Sequence, residues 1–381
     1  MPLPETIDLA VVGAGAAGLL TAISAARQSK SSVTLFDSRE KIGAKILISG
    51  GTRCNVTNRS VTAQDYNGGA KHFIRHVFEA FTPDASIRFF EEIGVSLVLE
   101  PTGKYFPTTH SGKTVLESLM RESERTGVRL VTGARITELE RDGDRFLCKT
   151  DSGGVFNAAR VVLCTGGLSL PETGSDGTGL RIAEKLGHTI VRTAPALTPL
   201  LSDDKEWAEL SGLTLEEVRL DYYALGKKRA SSQGGFLFTH FGFSGPAALD
   251  ISRHVALAGP GDEPRVVADF LPGQDECKLP KRFYEALKRK CGFELSKRIS
   301  HYPLEVTGVY GYKKAEVTAG GVDLKEVNVA TMESKKVKGL YFAGEILDVD
   351  GRIGGFNFQW SWSTGSIAGK AAAKSLGEAK A

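Results

Sequence analysis

TIDLAVVGAGAAGLLTAISAARQSKSSVTLFDSRE, residues 6–40, holds the order of elements that decides the fold. Asp8-Leu-Ala-Val-Val reads as a buried strand, Gly13-Ala14-Gly15-Ala16-Ala17-Gly18 as a strand-to-helix turn, and Leu19–Gln28 as an alanine-rich helix. A second strand is expected at Ser32–Phe36, ending immediately before Asp37. Each glycine of such a turn has a physical duty. Gly13 permits the tight bend, Gly15 lets backbone approach a pyrophosphate, and Gly18 lets helix pack closely on strand. Ala16 and Ala17 complete the turn, and the N-terminus of the helix that follows supplies N–H groups for the phosphate charge. Asp37 stands where a carboxylate accepts both hydroxyls of an adenosine ribose. The stretch therefore predicts an α/β chain that binds a dinucleotide, and by itself it does not choose between FAD and NAD.

Whole-chain numbers set the frame around this unit. At 381 residues and 41% hydrophobic composition the chain is long enough for a substantial core and more than one domain. The formal net charge of +3 neither predicts nor excludes a nucleic-acid partner. The opening Met-Pro-Leu-Pro-Glu-Thr lacks the basic region of a signal peptide, and the apolar run Ile7–Val12 is too short to span a bilayer, so a cytoplasmic protein without membrane attachment is expected. Five cysteines, at 54, 148, 164, 277 and 291, form no close CxxC pair and no short metal-ligand cluster. No metal site is predicted, and all but Cys54 read as structural thiols.

Further motifs follow in order: KILISGGTRCNVTN at 45–58, GKYFPTTHSG at 103–112, CTGGLSLPETGSDGTG at 164–179, LFTHFGFSGPAAL at 237–249, AEVTAGGV at 315–322 and GLYFAGEILDVDGRIGGFNFQWSWSTG at 339–365. Together with the first turn they resemble the BaiN-type flavoproteins, a family of NAD(P)/FAD-dependent oxidoreductases related to aminoacetone oxidases. The resemblance covers essentially the whole chain, and it is the RCNVTN and C-terminal motifs that make it specific.

That resemblance implies a non-covalent FAD site built from both ends of the chain. It places Lys45, Gly50, Gly51, Arg53, Cys54 and Asn55 along the flavin, Gly166 in a second glycine patch, and Gly344-Glu345 near the phosphate and ribityl section. Gly354, Gly355, Phe356 and Asn357 would approach the isoalloxazine edge, with the helix after Gly355 turning its positive end toward the flavin. Catalytic candidates are Arg53, Cys54 and His240. Arg53 reads either as fixed positive charge for phosphate, flavin or an anionic substrate, or as a loop-holding ion pair. Cys54 reads as a proton donor, a flavin contact or a structural thiol, and His240 as a proton or substrate contact or a buried hydrogen-bonding group. One departure is Thr52, which stands where family members commonly carry a further glycine.

The expected architecture is a Rossmann-like FAD-binding domain of residues 1–195 and 314–381, an inserted β-rich domain at 196–272 and a shortened helical addition at 273–313. The β-rich insert is expected to come over the flavin and form the substrate cleft. No second strand–GxGxxG–helix unit is present for nicotinamide, so NAD(P)H would act only as a transient electron donor. The family resemblance implies reduction of an activated C=C bond in a small cyclic or conjugated substrate, with RNA as a further substrate class. An amine oxidase using O2 and a noncatalytic flavin-binding sensor are the alternatives, and no stable protein partner is expected.

Overall fold

The computed structural model describes residues 4–273 and 279–378, so Cys277 lies outside the described residues. The chain divides into two compact units, one of residues 1–193 and 319–381, the other of residues 194–318. The basic helix Lys281–Cys291 belongs to this second unit, where Phe283, Ala286 and Leu287 are fully buried in the core, instead of standing apart as an addition.

The first unit is built on a seven-stranded sheet. Its strands run in the order Arg129–Val131, Val33–Phe36, Glu5–Val12, Val155–Leu163, Arg145–Thr150 and Ile136–Asp142, and Leu340–Phe342 also pairs with Val155–Leu163. The Val155–Leu163 strand has two partners on one side: its first half pairs antiparallel with Arg145–Thr150, its second half parallel with Leu340–Phe342. The apolar runs predicted as strands are buried almost without interruption, as a sheet covered on both faces requires.

The register fixes where chemistry collects. Val12 pairs with both Leu163 and Phe36, and Leu163 pairs with Phe342, so the carboxyl ends of four parallel strands finish side by side. The next residues along the chain are Gly13, Asp37, Cys164 and Ala343. Ligands of open α/β sheets bind in the crevice beyond these carboxyl ends.

Two helices cross beneath the crevice. In Phe356–Glu378, a Cβ at Gly365 would sit 2.7 Å from the carbonyl oxygen of Ala17, and one at Gly369 would sit 2.2 Å from that of Thr21. Any side chain at either position would force the helix away from Ala16–Gln28. Trp360 and Trp362 are fully buried on the same helix and donate indole N–H bonds to the carbonyls of Gly344 and Val56.

The second unit carries a separate seven-stranded antiparallel sheet, ordered Tyr302–Leu304, Arg265–Asp269, Thr214–Ala224, Lys227–Thr239, Gly242–Ser244, Leu200–Leu201 and Gly308–Val309. Its core gathers Trp207, Phe238, Phe270, Phe283 and Tyr302 in mutual ring contact. The Pro-Ala-Ala-Leu end of the FTHFGFSGPAAL motif is the start of the helix Pro246–Leu257.

Candidate functional site

The glycine turn has the geometry that its residues predict. Gly13 has φ +102°, and a Cβ there would lie 2.5 Å from the Cys164 carbonyl oxygen; a Cβ at Gly18 would lie 1.7 Å from the carbonyl oxygen of Gly13. Gly15 differs from both. It has an ordinary φ of −81° and open space within 4 Å of where its Cβ would be. No side chain caps the helix that begins at Ala16, and no acidic residue occupies its first turn, so the N–H dipoles point at that open space unopposed. Ala16 is half-buried, while Ala17 is buried close to Gly344.

Asp37 is held in place by backbone. Its Oδ2 accepts the Ala14 N–H at 2.7 Å and its Oδ1 the Arg39 N–H at 2.9 Å. Burial pushes its pKa above the usual carboxylate value, against the lowering effect of these two bonds and of Arg39 and Arg135. Each oxygen still has a lone pair for a ribose hydroxyl.

A three-membered polar cluster joins the distant motifs. Lys45, on the short helix Ala44–Ile48, donates to Glu345 Oε2 and to Ser169 Oγ, both at 2.7 Å, and Ser169 donates to Glu345 Oε1 at 2.5 Å. Gly166 lies beside it with φ +71°; a Cβ there would stand 2.7 Å from Ser175 Oγ and 3.9 Å from Glu345 Oε2. Gly344, φ +78°, donates its N–H to Thr364 Oγ1 at 2.9 Å. Ser169 and Thr364 carry no sequence-level assignment. Their only signal is a hydroxyl within a glycine motif or a helix, which is common everywhere.

The loop after Lys45 is conformationally expensive. Gly50, Gly51, Thr52 and Cys54 all have positive φ, and nothing lies within 4 Å of a Cβ built on Gly51. The loop carries Asn55 to the start of the long C-terminal helix, where a Cβ on Gly355 would meet Asn55 Oδ1 and the Thr57 carbonyl at 2.8 Å. Asn55 is buried, yet its Oδ1 has no hydrogen-bond partner among the described residues. A buried amide oxygen without a donor is costly and points to a ligand N–H that would complete it.

The remaining candidate side chains have local surroundings of their own. Cys54 does not face an open site: it is fully buried in the core, and burial pushes its thiol up to about 12. A thiol so enclosed has the surroundings of a structural cysteine, the third of its readings. Phe356 turns its ring into the core against Tyr66, and Asn357 spends its amide on Gly351, accepting from its N–H at 2.7 Å and donating to its carbonyl at 2.9 Å. These two residues therefore shape the helix start by packing and bridging, leaving backbone to meet a ligand. Arg53 is engaged locally, 2.7 Å from Glu100 and stacked 4.0 Å from the Phe106 ring centroid. His240 is exposed on the second unit, at the turn between Lys227–Thr239 and Gly242–Ser244, and is not among the residues that the first unit gathers.

An open phosphate approach, an uncapped helix start, a ribose-competent carboxylate and an unsatisfied amide oxygen fit a dinucleotide cofactor such as FAD. The matching family model, the HI0933-like protein Rossmann domain, spans residues 7–371. Two relatives resemble the chain along nearly its whole length. The 3-dehydro-bile acid delta(4,6)-reductase of Clostridium scindens is 34% identical, over 96% of this chain and 99% of its own. The ribosomal RNA dihydrouridine synthase of Haemophilus influenzae is 34% identical over 93% and 95%. Among solved structures, the FrdA chain of Escherichia coli quinol fumarate reductase superposes with a TM-score of 0.56 at 18% identity, covering 99% of this chain and 72% of that one. The fold and site define a flavin-dependent oxidoreductase that uses FAD. The chain belongs to the HI0933-like Rossmann family. Among the described residues no helix is long and apolar enough to cross a membrane, and no cluster of metal-ligating side chains occurs.

Proposed function

We propose that the protein reduces a C=C bond conjugated to a ring carbonyl. The observation that carries this is the pair of full-length relatives: a delta(4,6)-reductase of a 3-dehydro bile acid and a dihydrouridine synthase name different substrates, yet both saturate a ring C=C conjugated to a carbonyl. FAD, when bound and reduced, would supply a hydride to one alkene carbon while water supplies the proton to the other, and NAD(P)H would be its electron donor.

This chain's residues supply the holding and the field. Gly15 and the N-terminus of Ala16–Gln28 would hold the pyrophosphate and Asp37 the ribose, while the Lys45–Ser169–Glu345 cluster ties the short helix Ala44–Ile48 to the returning C-terminal segment. Asn55 Oδ1 would accept a ring N–H of the bound flavin, and the N-terminus of Phe356–Glu378 would stabilise negative charge on it. Both are set in advance by backbone geometry, so little reorganisation accompanies the reaction.

The test is anaerobic. Photoreduced holoprotein is mixed separately with a 4,6-dien-3-one steroid, with uridine-containing ribosomal RNA and with O2, and flavin reoxidation is followed with product mass. Reoxidation by either conjugated acceptor with gain of two hydrogens is expected. Rapid reoxidation by O2 alone, with both acceptors unchanged, would overturn the assignment.

A further inference from the structure

The helix Lys281–Cys291 gives its apolar face to the core of the second unit, and from there to Arg298 the rest of the surface is charged and exposed. Residues 281–298 hold seven basic and two acidic side chains, whereas the remainder of residues 194–318 holds ten basic and fifteen acidic. The unit is neutral in sum, with its basic residues concentrated in this stretch of sequence and Asp204 and Glu206 approaching it at Lys290. Part of the positive charge is spent locally: Lys290 pairs with Asp204 at 2.7 Å, Arg298 with Glu294 at 2.7 Å, and Arg282 donates to the Glu209 carbonyl. Lys288, Arg289 and Lys297 have no ion-pair partner among the described residues.

Phe293 stands in sequence between these three cations and is wholly exposed, at 110% of its reference area. It follows Gly292, whose φ of 53° and ψ of −128° suit glycine and end the helix abruptly. No core contact explains a phenylalanine in water.

We propose that the edge from Lys281 to Arg298 docks single-stranded RNA, with phosphates on Lys288, Arg289 and Lys297 and a base stacked on Phe293. Exposed cations without ion-pair partners and an exposed aromatic ring, within one ten-residue stretch, offer the two kinds of contact an unpaired strand uses. An anionic membrane fits less well, because interfacial helices bury a continuous apolar face and this helix has already committed Phe283, Ala286 and Leu287 to the core. RNA is favoured over DNA because uracil is a conjugated ring carbonyl of the class proposed above. That choice rests on the reductase assignment; the binding itself does not.

The experiment is fluorescence anisotropy of a labelled uridine-rich RNA strand with the full-length holoprotein across a salt series. Three phosphate contacts predict a log–log salt slope of about −2. Replacing Lys288, Arg289 and Lys297 together by alanine is expected to flatten that slope nearly to zero. Phe293→Ala is expected to weaken binding about tenfold and leave the slope unchanged, with Phe293→Trp restoring affinity. Wild-type affinity in both alanine variants, tighter binding of the matching DNA strand, or Phe293-dependent sedimentation with phosphatidylglycerol vesicles without RNA binding would each overturn the proposal. Flavin reoxidation by the same RNA is read separately. RNA that binds through this edge but is never reduced leaves the surface standing and counts against uridine as substrate.

Discussion

Lys45 Nζ and Glu345 Oε2, 300 residues apart in the chain, lie 2.7 Å from each other. The contact ties the short helix after the second strand to the returning C-terminal segment, and Ser169 completes it from the third strand end. Lys45 and Glu345 are 24% and 15% exposed, between a surface pair worth at most about 1 kcal/mol and a buried pair whose rupture costs about 3–5 kcal/mol. Lys45→Met is expected to lower apoprotein stability by about 2 kcal/mol in urea unfolding and to weaken FAD binding. Glu345→Gln should do the same, and the double variant should lose less than the two losses added. Simple additivity would show that the two side chains act independently.

Gly15 and Gly18 separate ligand binding from folding. Alanine at Gly15 meets nothing within 4 Å and suits a φ of −81°, so Gly15→Ala should fold with unchanged or slightly raised stability while FAD affinity collapses. Gly18→Ala places a Cβ 1.7 Å from a backbone oxygen and should fail to fold stably. Thermal unfolding without cofactor and equilibrium FAD titration provide the comparison. Normal FAD affinity in Gly15→Ala would remove the pyrophosphate from this turn.

Much of this was legible in the sequence because it depends on local chain properties. The GAGAAG turn, its strand and helix, and the acid at Asp37 follow from periodicity and the steric freedom of glycine. The resemblance also brought Lys45 and Glu345 to one cofactor. Their salt bridge, and the part of Ser169 in it, required the register that ends Val12, Phe36, Leu163 and Phe342 together. Which of its three readings Cys54 fits also waited on the structure: the positive-φ loop turns the side chain inward, and no linear pattern reports that.

Thr52 is the strained member of that loop. It holds φ +69°, a region costly for a β-branched residue, at the position where the sequence departs from a glycine common in the family. Among the described residues its hydroxyl bonds only the neighbouring Gly51 carbonyl, at 2.6 Å. Thr52→Gly is therefore expected to stabilise the protein by about 1 kcal/mol, with FAD affinity kept or improved. A lower melting temperature would mean that the hydroxyl contributes more than the strain costs.

Cys54, Cys148 and Cys164 are all buried, and burial pushes each thiol up to about 12. Thiolate is the reactive form, so none should be alkylated by iodoacetamide in native protein at neutral pH, and all should be in denaturant. Peptide mass mapping reads each site. Cys54→Ser is expected to retain the wild-type pH dependence of turnover; a lost or displaced limb would restore Cys54 as a proton donor.

His188 provides the pH prediction. Its side chain is fully buried, with Nδ1 3.0 Å from Glu326 Oε2 and Nε2 2.9 Å from Ser334 Oγ. Ser334 Oγ already accepts the N–H groups of Lys336 and Val337, so its own hydrogen goes to Nε2. Nδ1 therefore carries the ring proton and donates to Glu326, an arrangement that fixes His188 neutral. Burial lowers its pKa below the ordinary 6.5, outweighing the upward pull of Glu326. For Glu326, burial acts upward but is overcome by bonds from Lys336 and Thr189, which hold the carboxyl down at about 2. The sign follows for each. Below pH 6.5 the unfolded chain takes up a proton at His188 before the folded one does, so stability falls with pH from there to the lowered native value, by at most about 1.4 kcal/mol per pH unit. Glu326 adds stability that is complete above 4.5 and is lost as pH falls from 4.5 toward 2. Urea unfolding across this range should give a shallower decline just below pH 6.5 for His188→Gln than for wild type, and Glu326→Gln should remove part of the loss below 4.5. A His188→Gln curve parallel to wild type between pH 6.5 and 5 would show that this histidine titrates alike in both states.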